Sequence, residues 1–462
     1  MIQLSRTNIP TWRPPRTDGI ELGRVIPAQP AALEAMRVRT VLVVAAITAT
    51  AVALPVFLPA SNAASYPNRS QIGPPPVTAE AISLFQRRVD ENPNPIDLTL
   101  LAQLQLRRSR ETGDITELTR AEAALSEALE DQPRYAPAVA MLASVLFAEH
   151  RFEEALGKAR AAHELNPRLG SIALVGDVLA ATGDYQGAKT AYQEAGRLLA
   201  SPGLTTRLAH IEELEGRPDE AIRLMEQAAA ADLAAGGVGE QAAWFQVRLG
   251  DLNFNAGHLR EAQRRYQAAL DIFPGYWSAL AGAGKVAAAR GDYRSAIDLY
   301  ERAGAVVPRP EVMVALGDLY SITGEEGKAA DRYATVEAIA RLGGGVYDRT
   351  LALFYADHGR PDEALALAEA GIEVRRDIYG YDTLGWSLYR LGRFEEAEWA
   401  MEKALALGTR DSQLLFHAGA VSLALGKLTL ASQQLSAAVE LNPHFHPRLA
   451  EQAEQLLKAA RP

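Results

Sequence analysis

The sequence predicts an all-α protein, a solenoid of about ten helix–turn–helix pairs with a capping helix at each end. Three observations lead there. A small residue recurs as Ala121, Ala155, Ala188, Ala221, Ala262, Ala296, Ala329, Ala364, Ala397 and Ala431, at steps of 33 to 35 residues except for one of 41. Five residues before that alanine a glycine stands in eight of the ten units, from Gly183 to Gly426, where a first helix must end in a left-handed residue. Of the 462 residues, 48% are hydrophobic, and much of that share is alanine, which suits close-packed helices better than sheets.

The repeating unit shows its parts in order. Twelve residues before the marker alanine lies a second small residue: Ala143, Gly176, Ala209, Gly250, Gly284, Gly317, Ala352, Gly385 and Gly419. Paired small positions mark where two antiparallel helices cross closely, since a larger side chain would push the backbones apart. Seven residues after the marker, Ala128, Ala162, Ala195, Ala228, Ala269, Ala303, Ala404 and Ala438 are placed to meet the next unit. Pro133, Pro167, Pro274, Pro308 and Pro443 close several units. His150 stands where the second unit needs a left-handed residue, a position a polar side chain tolerates at some strain. The segment YDTLGWSLYRLGRFEEAEWAMEKALALG, residues 381–408, carries every part of the unit.

Period, small positions and turn glycine together resemble the tetratricopeptide repeat over about residues 97–444. That resemblance implies a right-handed superhelix whose first helices line a concave inner face. The first unit departs from the pattern around Gly113 and Asp114. The 41-residue step contains AADLAAGGVGE, residues 230–240, expected to be an exposed loop, and RLGGGVYD, residues 341–348, is a second glycine-rich connection. Residues 78–96 and 445–462 hold the flanking helices, expected to cover the end units.

Ahead of the array the composition changes three times. Residues 1–35 show no apolar periodicity and read as a disordered leader, or as an upstream extension if Met36 is the true start. Residues 36–64 hold Arg37 and Arg39, an apolar run from Val41 to Leu58, and a small-x-small end at Ser61, Asn62 and Ala63. Those are the parts of a secretory signal cleaved after Ala63. The run is also just long enough for an uncleaved single anchor, with its amino end inside by its arginines. Both readings place the repeats outside the cytoplasm, secreted, periplasmic or anchored in the cytoplasmic membrane. Residues 65–77 are a proline-rich linker.

Composition excludes several functions. The net charge is −10, and the basic leader makes the body more acidic still, which argues against a nucleic-acid partner. With no cysteine, there is no disulfide, thiol nucleophile or thiolate metal site. Gly282–Lys285, GAGK, superficially resembles a phosphate loop but has Val286 where a hydroxyl is needed and falls inside a predicted helix. His444 and His446 lack a third metal ligand and are expected to be solvent-exposed. Glu153–Glu154 and Glu395–Glu396 start second helices, where negative charge complements the helix dipole. No catalytic residue, metal or cofactor is therefore assigned, and the chain is read as a non-enzyme.

Binding is the function that remains. Positions lining the groove in tetratricopeptide repeats fall here on Asp177, Asp251, Phe254, Lys285, Asp318, Arg349, Asp382, Trp386, Tyr389 and Arg390. Trp386 and Tyr389, three apart on one face, are the foremost anchors because large aromatics bind well. The basic set that clamps a carboxylate tail in some members is missing, so the expected partner is an apolar or basic protein or peptide segment. Two roles follow: a scaffold of the cell envelope, or an assembly or secretion chaperone for exported or outer-membrane proteins. Membrane contact is expected only through residues 36–64.

Overall fold

The computed structural model describes residues 78–461 apart from 113, 115, 168–169, 199 and 343–348. The leader, the signal or anchor, the linker and most of the second glycine-rich connection lie outside the described residues. Twenty-two helices follow in order among those described. Helix α1 (Thr78–Glu91) precedes ten antiparallel pairs, and α22 (Leu449–Ala460) follows them. The pairs are α2 (Pro95–Thr112) with α3 (Thr116–Asp131), α4 (Ala136–Ala148) with α5 (Phe152–Leu165), and α6 (Ser171–Ala181) with α7 (Tyr185–Leu198). Next come α8 (Pro202–Leu214) with α9 (Pro218–Ala234), α10 (Gly239–Asn255) with α11 (Leu259–Ile272), and α12 (Trp277–Ala289) with α13 (Tyr293–Val306). The last four are α14 (Pro310–Ile322) with α15 (Glu326–Leu342), α16 (Arg349–Asp357) with α17 (Pro361–Val374), α18 (Ile378–Arg390) with α19 (Phe394–Ala404), and α20 (Ser412–Ala424) with α21 (Leu428–Leu441).

Small residues set the spacing of these helices. All ten marker alanines are buried, with at most 1% of their surface exposed. The turn glycines from Gly183 to Gly426 all have positive φ, between 71° and 91°, and His150 occupies the same region at 61°. In four units the glycine of the first helix is roofed by a tyrosine of the second, Gly284 by Tyr300 least tightly. A Cβ on Gly176, Gly250 or Gly317 would come closer than 3.0 Å to the ring of Tyr192, Tyr266 or Tyr333. Close helix approach and a large ring filling the space above it are one device.

The stretch 230–240 is more helical than expected. Helix α9 continues to Ala234 and α10 starts at Gly239, leaving only residues 235–238 as connection. Four successive alanines, Ala228 to Ala231, are strong helix formers and carry the helix on. Asp232 is buried where α9 ends and accepts from the Gln241 side chain of α10.

The array winds far enough to touch itself. The turn of the third unit meets the connection after the eighth, where Tyr185 Oη accepts the Ile378 amide at 2.9 Å. The fourth meets the connection after the ninth, where Thr409 Oγ1 donates to the Leu214 carbonyl. The fifth meets the connection after the tenth, where Asn442 Nδ2 donates to the Phe254 carbonyl at 2.7 Å. The first two contacts satisfy backbone groups at helix ends that have no partner in their own helix, and the third adds a second donor to the Phe254 carbonyl, which also accepts the Gly257 amide. Gly183, Gly216 and Gly257 lie at these crossings, and a Cβ on any of them would run into backbone of residues 376, 408 or 441.

This sets up a matched comparison. Gly392 has the same left-handed backbone but open space around its α-carbon. Gly392→Ala is expected to cost about 1 kcal/mol from backbone strain alone. Gly216→Ala carries the same strain and also a collision with the Gly408 carbonyl, so it should be clearly the more destabilising in urea melts. Equal losses would mean that units four and nine do not touch.

Candidate functional site

The inner face is built by first helices, and the structure closes much of it. Asp177 follows Gly176 on α6 and is buried, 2% exposed. Its carboxylate accepts from Tyr192 Oη at 2.9 Å and, bidentate, from Arg207 of α8 at 2.7 and 2.6 Å. Asp251 on α10 accepts from Tyr266 Oη at 2.8 Å and from Arg248 at 3.1 Å, with about a third of its side chain still open. Asp318 on α14 accepts from Tyr333 Oη at 2.8 Å and from Arg448, beside α22, at 2.9 Å, with His358 Nε2 at 3.0 Å. Burial alone would raise the Asp318 carboxyl, but His358 and Arg448 hold it well below the usual carboxylate range.

The acids next to the first-helix glycines thus serve the fold before they can serve a ligand. A tyrosine fifteen residues after each of them, at 192, 266 and 333, was a signal in the sequence that a search for groove positions passes over. Arg207, His417, Thr409 and Asn442 carried no comparable signal, since their partners lie in other units.

Trp386 is the largest correction. It is 2% exposed, and its Nε1 donates to Asp357 at 2.9 Å. Its ring lies parallel to Tyr389 at 4.9 Å and to His417 at 4.1 Å. His417 is fully buried, with Nδ1 2.8 Å from Asp382, itself 4% exposed. Trp386 and Asp382 are therefore core residues bonding unit nine to its neighbours, and Tyr389 is half-buried against the same ring. The position that holds Asp177, Asp251 and Asp318 in other units holds a core anchor here, where the next unit offers a flat imidazole to stack on. His446 is also corrected: it is half-buried and its Nδ1 accepts the amides of Arg448 and Leu449, at 3.2 and 3.3 Å, at the start of α22.

What stays open is a short charged strip. Phe254 is buried, and the Lys285 amine lies 4.2 Å from its ring centroid. Lys285 reaches solvent yet is walled by protein, which pushes its amine down, while the charges of Asp251 and Asp411 oppose that effect. Asp411 is itself pushed up by burial and by Asp382. Arg349 is half-buried over the Tyr379 ring at 4.8 Å, and Arg390 is exposed. Beside the strip a small cleft runs between the turn of the fourth unit and the connection after the ninth, with Glu213, Asn255, Tyr379 and Asp411 in its walls. The described residues contain no cluster of three side chains suited to a metal.

Glu213 gives this region a pH signature. Burial would raise its carboxyl, but Arg248 at 3.1 Å and His210 at 3.4 Å bring it down to about 2. A depressed folded value means stability that is present above the ordinary carboxylate range and lost as pH falls toward 2. Acid unfolding of Glu213→Gln should therefore show less loss than the parent between about pH 5 and 2. Identical acid curves would remove Glu213 from the pair network.

Helix pairs of this length, crossing at small residues and stacked in one direction, define an α-solenoid of helix–turn–helix repeats. Family comparison agrees along the chain: a tetratricopeptide repeat-like domain matches residues 97–205, and tetratricopeptide repeats match 247–336, 349–383 and 383–444. The chain belongs to the tetratricopeptide repeat family, whose members are protein-interaction scaffolds. Comparison with curated proteins gives no match. Solved structures similar to it include yeast Tom70, with 15% identity over 83% of this chain and 92% of that one at a TM-score of 0.36. A human IFIT1 dimer with PPP-AAAA shares 15% identity over 71% and 78%, at 0.47. YrrB, described as a TPR protein with an unusual peptide-binding site, shares 23% over 40% and 93%, at 0.27.

Proposed function

We propose that this protein is a non-enzymatic scaffold of the cell envelope that holds a segment of a partner protein along the open part of its inner face. The observation that carries the reading is the exposed Lys285 amine, set between the Asp251 carboxylate, a third open despite its Tyr266 and Arg248 bonds, and the half-buried Asp411, which caps α20. Carboxylates outnumber the single amine there, and the Phe254 ring lies beneath it. A partner segment that is extended, basic and apolar complements such a strip. The signal-like residues 36–64 support an exported or anchored location; among the described residues no helix is long and apolar enough to cross a membrane.

The test is photo-crosslinking in the native host, with a crosslinking residue at Lys285 or, as a control on the outer face, at Glu395. Capture of one discrete partner at Lys285 but not at Glu395 supports a scaffold. Capture at Glu395 alone overturns the inner-face assignment, and a broad smear of clients at Lys285 transfers the protein to the chaperone class. Fractionation of the same cells decides the location: repeats protected from external protease with the cytoplasmic fraction contradict it.

A further inference from the structure

We propose that α22 is an acid-released cap, freed from the end of the array when two histidines, His446 and His358, take up protons. Both imidazoles accept hydrogen bonds from the short segment that leads into this helix. His446 Nδ1 accepts the amides of Arg448 and Leu449 at 3.2 and 3.3 Å, donors that have no partner within the helix. His358 Nε2 lies 3.2 Å from Arg448 Nη1. The other nitrogen of that ring fixes its role: Nδ1 lies 2.8 Å from the Phe354 carbonyl, which can only accept, so Nδ1 carries the proton and the lone pair of the neutral ring falls on Nε2. Arg448 is therefore held at its backbone and at its guanidinium by imidazole lone pairs.

A proton at either nitrogen turns an acceptor into a donor. On His446 Nδ1 it would face two N–H groups, and the start of α22 loses its cap. On His358 Nε2 it is donated to Asp318 Oδ1 at 3.0 Å, an oxygen that already accepts from Tyr333 at 2.8 Å and from Arg448 at 2.9 Å. Arg448 then meets a second cation at 3.2 Å and shares one carboxylate oxygen with it. The grip that remains is apolar: Leu449, Ala453, Leu457 and Ala460 are buried along one face of α22. Two of the four are alanines, which bury little surface, so the bonds at 446–449 weigh in the balance. Release bares the end face of unit ten and takes Arg448 off Asp318 on the inner face.

The charges around the two rings come from several elements. Burial is the largest influence on His446 and pushes it down, helped by Arg448 and by Lys285 of α12, against the opposing pull of Asp318 on α14 and Asp357 on α16. His358 faces Asp318, Arg448 and the Tyr333 ring of α15, which lies 4.7 Å away. Asp357, the residue before it, is taken up by Trp386 Nε1 at 2.9 Å. With His446 held down in the docked state, the released state binds the proton more readily. Docking is therefore complete above the ordinary histidine value of about 6.5 and weakens as pH falls below it.

The test is amide hydrogen exchange on the full chain from about pH 8 to about pH 5, each rate divided by the chemical exchange rate at that pH. Protection of α22 should fall by about tenfold or more across this range, while protection of α12, inside the array, stays level. His446→Asn keeps an oxygen acceptor in place of Nδ1, and His358→Gln keeps an uncharged amide in place of Nε2. The double variant should hold α22 at the acid end as firmly as the parent does at the alkaline end. Equal protection of α22 at both ends in the parent overturns the proposal, as does a loss that the double variant shares. Nitrogen-15 histidine spectra of the parent add a check that no substitution disturbs. Proton uptake at the two acceptor nitrogens should span the range in which α22 loses protection, and uptake outside that range overturns the coupling.

Discussion

Arg207→Ala is expected to lower stability by about 3–5 kcal/mol, because it leaves a carboxylate charged and buried with half of its partners gone. Arg207 is 2% exposed and bridges two units, holding Asp177 of the third from the first helix of the fourth while its Nη1 donates to the Gly203 carbonyl at 2.9 Å. Tyr192 alone cannot replace two charge-assisted bonds. In a solenoid, loss at one interface divides the array there, so amide exchange should rise around α6 to α8 before it rises at the ends. Removing both partners, as Asp177→Leu with Arg207→Met, takes away the buried charges together and should recover most of the loss. A double variant as unstable as Arg207→Ala would show that packing, and not the ion pair, sets the cost.

Trp386→Ala should cost a similar 3–5 kcal/mol, from the cavity it opens and the contacts that line it. The indole fills space between units nine and ten, stacks on His417 and Tyr389, and bonds Asp357 of unit eight. An anchor for a ligand would behave in the opposite way: binding would fall while the urea midpoint stayed put. Arg390→Ala, on the exposed end of the same helix, should change stability by less than about 0.5 kcal/mol. The pair of variants separates core from surface on one helix.

These residues show where the sequence is readable and where it is not. Marker alanines and turn glycines are legible because their role is local: a close crossing or a left-handed turn is set by residues within one unit. Asp177 and Trp386 looked like groove positions because register says which face of a first helix a residue occupies. It does not say what the next unit or the next superhelical turn places over that face. Arg207 stands 30 residues from Asp177, and Arg448 stands 130 from Asp318. Such partners depend on how far the array winds, a sum of small rotations that no single repeat encodes. The tyrosines at 192, 266 and 333 lie between these cases, since their spacing from the acids is fixed within the unit.

The winding is also what decides which inner positions remain for a partner, so it is the point to measure. The chain has no cysteine, and Arg217 and Arg410 are exposed residues beside the crossing of Gly216 with Gly408. Spin labels on cysteines at these two sites can be compared by pulsed electron resonance. Direct contact between units four and nine predicts a single short distance, close to the lower limit of the method. An open solenoid would separate the labels by several helix-pair spacings of roughly 8–10 Å per helix, and a broad or long distribution would contradict the closed inner face.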